Sequence, residues 1–200
     1  IIVVSGNCFN YIKVGNFNLK LLLPYLIGSI PMAFIGGSLS IEKNFFEILL
    51  FVVLAVAGFL LLYEFRSYEG KNKIYKKIPK IISVTIGGVI GFISGIVGIG
   101  GGIFLSPILF IIKAGKPKYI ATTASIFILI NSIFGISGQL TKKFVFDEIQ
   151  NYWFIFLIVF IGGQIGNYLN IKIFTTRILI LITAGLVIFV AFRMGLKLFL

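Results

Sequence analysis

Histidine is absent from the 200 residues, and cysteine occurs once, as Cys8. The first absence removes imidazole acid–base work and the commonest zinc ligand. The second excludes an intrachain disulfide and a cysteine metal cluster, so neither metal nor cofactor is expected. Acidic residues are nearly as scarce. The six are Glu42, Glu47, Glu64, Glu69, Asp147 and Glu148, each in a polar break or near a helix end. No carboxylate falls in the middle of an apolar run, so no buried Asp/Glu relay for protons or sodium is visible. With no intramembrane lysine either, no nucleophile–base pair can be assembled. The chain does not read as an enzyme.

Charge as a whole is low, at 12% of residues against 58% hydrophobic. Soluble domains run near ~25% charged. Mean hydropathy is +1.09. A soluble chain of this length could not hide so much apolar surface, so lipid must be its main solvent. Eighteen Lys and Arg against six acids give a net charge of +12. In a lipid-embedded chain this excess reads as cytoplasmic-loop anchoring, or as attraction for an anionic solute, rather than as nucleic-acid binding.

Leu21–Ser40, Phe45–Tyr63, Tyr119–Ser137 and Tyr152–Asn170 are apolar and near bilayer-spanning length, and Ile178–Leu200 is a fifth, with Arg193 and Lys197 near its end. A helix needs about 20 residues to cross. Tyr25, Tyr63, Tyr119, Tyr152, Trp153 and Tyr168 lie near segment ends, where interfacial aromatics collect. Ile1–Val4 is too short to cross and lacks the charged region of a signal peptide. It reads as the tail of a membrane helix, and the chain is expected to be N-terminally truncated. The loop Glu64–Lys80 carries Arg66, Lys71, Lys73, Lys76, Lys77 and Lys80, and so is expected to be cytoplasmic.

Ile81–Ile112 is too long for one straight span and too short for two with a turn. Its middle reads Gly98-Ile99-Gly100-Gly101-Gly102, and Pro107 follows. Glycine costs about 1 kcal/mol per helical site and proline about 3. Two half-helices are therefore expected, as a re-entrant hairpin or a broken crossing. Non-helical backbone at membrane depth must be buried in protein or face a water-filled cavity. Lysine and arginine do not separate the two forms, because the tally on each side differs by a single charge.

The break offers unblocked peptide N–H groups at the start of a half-helix, which is an anion site in principle. The alternative is close helix packing, the reading taken for Gly87, Gly91 and Gly95 at four-residue spacing. Thr122, Thr123 and Ser125 lie near the start of the next helix, with Asn131 and Ser132 further along. They would add uncharged donors, unless the hydroxyls bond their own helix. Gln164 and Asn167 sit mid-helix beside glycines, for helix packing or secondary solute contact.

Two related halves are visible. Ser5-Gly6, a basic loop and two apolar segments are echoed by Ser137-Gly138, a basic loop and two more. The division is 1–65 as the end of a first repeat, 66–80 as a basic linker, and 81–200 as a second repeat. The fold class is an all-α integral membrane protein, a polytopic bundle with a glycine-broken helix.

The stretch Gly91-Phe-Ile-Ser-Gly-Ile-Val-Gly-Ile-Gly-Gly-Gly-Ile-Phe-Leu-Ser-Pro-Ile-Leu109 resembles the glycine-rich signature of the TauE/SafE family of sulfite exporters and organosulfonate permeases. Ala121–Ser132 and Gly162–Leu169 resemble later helices of that family. The resemblance implies a multi-pass plasma-membrane transporter of a small sulfur-containing or organic anion. Its partners would be that solute and the bilayer, and a homo-oligomer is compatible with it. The solute would be held by Gly98, Gly100, Gly101 and Gly102, near Pro107, with Thr122, Thr123, Ser125, Asn131 and Ser132. The alternative is a membrane scaffold or assembly subunit whose glycines only pack.

Overall fold

A computed structural model describes residues 1, 4–6, 8, 17–67, 78–115, 117–142, 153–172 and 176–199. Most of the basic linker lies outside the described residues. The helices are α1 (Leu19–Ser38), α2 (Lys43–Ser67), α3 (Lys80–Val97), α4 (Gly102–Ile111), α5 (Pro117–Gln139), α6 (Trp153–Lys172) and α7 (Thr176–Phe199). No strand occurs among the described residues. In α1, α2, α3, α5 and α7, stretches of 18 to 21 residues are long and apolar enough to cross a bilayer.

Helix α1 starts where the Asn18 side chain accepts the Leu21 N–H at 3.3 Å. Its buried residues Leu22, Tyr25, Ser29, Ala33 and Gly36 fall at helical spacing on one face. That face meets the stripe Gly87, Gly91 and Gly95 of α3. A Cβ on Gly87 would strike the backbone of Tyr25, one on Gly91 that of Ser29, and one on Gly95 that of Ala33. The contacts advance by four residues on both helices, so α1 and α3 run parallel with backbones touching. Lipid supplies no hydrophobic drive between helices, and small residues let dispersion and packing replace it.

Helix α5 runs parallel to both. Leu21 lies beside Gly115 at one end, and at the other Gly138 meets Phe34. Gly37, Gly95 and Gly135 converge: a Cβ on Gly37 would strike Gly135, and one on Gly95 would reach Gly37. Lys142 Nζ donates to the Leu39 carbonyl at 2.6 Å and ties the same ends together. Helices α2 and α7 form an antiparallel pair. Gly58 lies against Ile188, Gly195 against Phe51, and Lys197 Nζ is 2.9 Å from Glu47 Oε1. On α6 the described side chains are exposed all round except at Gly163, an arrangement suited to lipid.

The expected helix break is present. Gly98, Gly100 and Gly101 have φ of 78°, 77° and 73°, a region closed to most side chains. Three such residues in four end α3 and start α4 in a new direction. Helix α4 then returns to the side from which α3 came. Ala114, just past its end, borders the same pocket as Asn18, Lys20 and Lys80 at the starts of α1 and α3. Residues 81–112 thus form a re-entrant hairpin. At ten residues α4 covers about 15 Å, half the hydrocarbon core.

Candidate functional site

The break follows the end of α3 beside α5, with Gly98 exposed and Gly100 buried, and borders a cavity of about 170 Å³. That volume suits a small polyatomic ion with some water, and is below the range for drug-sized ligands. Ser94, Gly98 and Gly100 border it from the hairpin, and Asn131, Ser132, Gly135, Ile136 and Gln139 from α5, with Ile1 at its edge. None of these side chains carries a charge.

Several groups there want partners. The Gly98 N–H is committed to the Ser94 carbonyl at 2.7 Å as the cap of α3. The N–H groups of Ile99, Gly100, Gly101, Gly102 and Ile103 have no backbone acceptor among the described residues. They surround the positive dipole end of α4. Asn131 is 1% exposed. Its Nδ2 donates to the Phe127 carbonyl at 3.0 Å, whereas its Oδ1 is buried without a partner.

Of the residues singled out from sequence, Gly98, Gly100, Asn131 and Ser132 border the cavity together. Gly101 and Gly102 shape the turn without bordering it. A Cβ on Gly101 would meet Ile90, Phe127 and Ser94, and one on Gly102 would meet Ile128 and the Ala124 carbonyl. Thr122 and Thr123 are buried, Ser125 is half-buried, and Pro107 is buried within α4; none borders the cavity. The reason is steric. The start of α4 packs against Ala124 and Ile128, so the open space begins further along α5. Gln164 is exposed and does not border the cavity, and the Asn167 side chain lies outside the described residues.

Ser94, Gly135 and Gln139 are additional lining residues. Asn131, Gly135 and Gln139 are spaced by four, so one helical stripe of polar and small residues carried the signal. A second pocket, of about 610 Å³, lies at the other end of α1 and α3. It is mostly apolar, with Lys20, Lys80 and Ser83 among its borders. The Tyr25 hydroxyl beside Ser83 has no hydrogen bond of normal geometry there.

Residues 1–194 match the family model described as Sulfite exporter TauE/SafE. The probable membrane transporter protein y4hK of Sinorhizobium fredii is 29% identical over 78% of this chain and 63% of its own length. YunE of Bacillus subtilis, a probable membrane transporter protein, is 25% identical over 94% of this chain and 75% of its own. MJ0441 of Methanocaldococcus jannaschii, described in the same words, is 31% identical over 68% and 50%. The chain thus spans less than two thirds of the first of these relatives. No solved structure matches it.

Proposed function

The chain belongs to the TauE/SafE sulfite exporter family, and from that premise we propose that it forms part of a secondary transporter for a small anion. Sulfite, a sulfonate or another small organic acid is the solute class. The observation that carries this reading is the re-entrant hairpin, which brings the Gly100 N–H, without a backbone acceptor, to a polar, uncharged cavity. Such donors can replace part of an anion's hydration shell without trapping it through a full counter-charge.

Binding would run through the N–H group of Gly100, with Ser94, Ser132 and Gln139 completing the shell. Release requires the cavity to open to each side in turn. Two related halves rocking about it would supply that motion. The antiparallel contact of α2 with α7, the segments that correspond in the two halves, is what inverted repeats would produce. The basic loop 64–80 would face the cytoplasm of the cell membrane.

A second reading, a scaffold in which glycines only pack, draws support from Gly101 and Gly102, which are sealed by side chains. The two readings part at Asn131. In liposomes, the transporter takes up at least one of sulfite, thiosulfate, a sulfonate or a carboxylate with saturation. Asn131→Leu then alters that uptake while the protein still melts cooperatively. No uptake of any of these, or uptake indifferent to Asn131→Leu, favours the scaffold.

A further inference from the structure

We infer that the larger pocket, at the N-terminal ends of α1 and α3, holds an anionic phospholipid, with its phosphate at Lys20 and Lys80 and the first part of an acyl chain along the wall below them. The inference is independent of what the cavity at the helix break carries.

Helices α1 and α3 run parallel, so they begin at the same level, and the pocket of about 610 Å³ lies against those two starts. Lys20 is in the first turn of α1, and Lys80 begins α3. Both border the pocket, and both are exposed. Neither has a hydrogen-bond or ion-pair partner among the described residues. No acidic side chain among the described residues borders the pocket to neutralise them. By contrast, Lys142 and Lys197 at the opposite end of the bundle donate to the Leu39 carbonyl and to Glu47. The two helix starts add their positive dipole ends at the level of Lys20 and Lys80. The mouth of the pocket is therefore positive and lacks a counter-charge among the described residues.

Below the mouth the chemistry changes. Leu23, Ile27 and Val84 border the same pocket. Ile27 lies two turns beyond Lys20, about 10 Å further along the helix axis. Leu23 and Ile27 are 47% and 58% exposed, so this wall is open toward the lipid around the bundle and a chain can enter from the side.

The occupant must match both parts. A free inorganic anion would use the lysines and leave the wall bare. At the size of a few water molecules of ~30 Å³ each, it would also leave most of the 610 Å³ unfilled. A lipid without net charge would cover the wall and leave two ammonium groups unmatched. An anionic phospholipid joins a negative phosphate at the interface to hydrocarbon beneath it. Basic pockets between membrane helices take such headgroups, and flexible lysine stems can reach up to them.

Native mass spectrometry of the full chain, delipidated in detergent, tests this by titration with phosphatidylglycerol or with phosphatidylcholine of the same acyl chains. Phosphatidylglycerol should bind at least ~10-fold more tightly, the order expected from two lysines at a membrane surface. Lys20→Gln combined with Lys80→Gln should bring the two lipids within about threefold of each other. Lys43→Gln combined with Lys197→Gln removes the same charge from the other end and should leave the preference intact. All four lysines are exposed, and the wild-type comparison stands even where a variant does not fold. Equal binding of the two lipids overturns the inference. So does a preference that survives Lys20→Gln with Lys80→Gln, or one lost equally in both paired variants. Displacement of phosphatidylglycerol by inorganic phosphate or glycerol 1-phosphate at equal concentration overturns the lipid and leaves a free phosphate as the ligand.

Discussion

The Asn131 amide nitrogen bonds the Phe127 carbonyl one turn back on its own helix, while its oxygen, equally buried, has no partner. A side chain held so firmly by one end presents the other in a fixed direction. Most polar residues in membrane helices spend both ends on neighbours or on their own backbone. Its fixed, unpaired oxygen makes Asn131 the position where stability and function should separate.

Asn131→Leu should therefore melt at or above the wild-type temperature while anion uptake changes. Removing a buried acceptor without a donor recovers up to ~1–3 kcal/mol, offset by one lost hydrogen bond of ~1 kcal/mol. Thermal unfolding in detergent, alongside uptake in liposomes, checks both halves. A large drop in melting temperature would mean the oxygen has a partner.

Gly87 and Gly88 are adjacent but should respond oppositely to alanine. A Cβ on Gly87 strikes the Tyr25 backbone, whereas one on Gly88 finds its nearest neighbour, the Gly28 carbonyl, at 3.6 Å. Gly87→Ala should cost roughly 1–3 kcal/mol by forcing α1 from α3. Gly88→Ala should be neutral, or gain up to ~1 kcal/mol from helix propensity. Denaturant titration of the two variants side by side decides the matter.

Gly98→Ala and Gly101→Ala should also differ. Both place alanine at positive φ, which costs about 1–2 kcal/mol. Gly98 has only Gln139 Nε2 nearby, at 3.8 Å, but Gly101 would also press Ile90 at 2.9 Å and Phe127 at 3.0 Å. Gly101→Ala should lose about 1–3 kcal/mol more. Gly98→Asn should be milder than Gly98→Ala, since asparagine tolerates this backbone region. The same unfolding assay ranks all three.

The re-entrant hairpin makes a topological prediction. With Cys8 replaced by serine, single cysteines at Lys80→Cys and Lys113→Cys should react with a membrane-impermeant thiol reagent from one and the same side. Lys142→Cys should react from the other. Labelling of Lys80→Cys and Lys113→Cys from opposite sides would mean that residues 81–112 cross the membrane once.

Much of this architecture was legible in the chain. Hydrophobic length placed the spanning helices to within about two residues at most ends, because in lipid every peptide group must be satisfied within its own segment. The break at Gly98–Gly102 was legible for the same reason, since no helix keeps that much glycine cheaply. The stripe at Gly87, Gly91 and Gly95 announced a close contact but not its partner.

What composition could not decide was where the polar residues point. Ser125 and Ser132 share a helix face by spacing, yet only Ser132 borders the cavity, because α4 folds back against the earlier turns of α5. Whether Ile81–Ile112 crossed or returned was equally closed to charge counting, since one positive charge separated the alternatives. The amino-acid order thus determined which segments enter lipid and where one of them must break, both being local costs of desolvating peptide groups. The direction of the chain after that break, and hence which N–H groups and which face of α5 meet in one space, was decided by non-local backbone contact among α1, α3, α4 and α5.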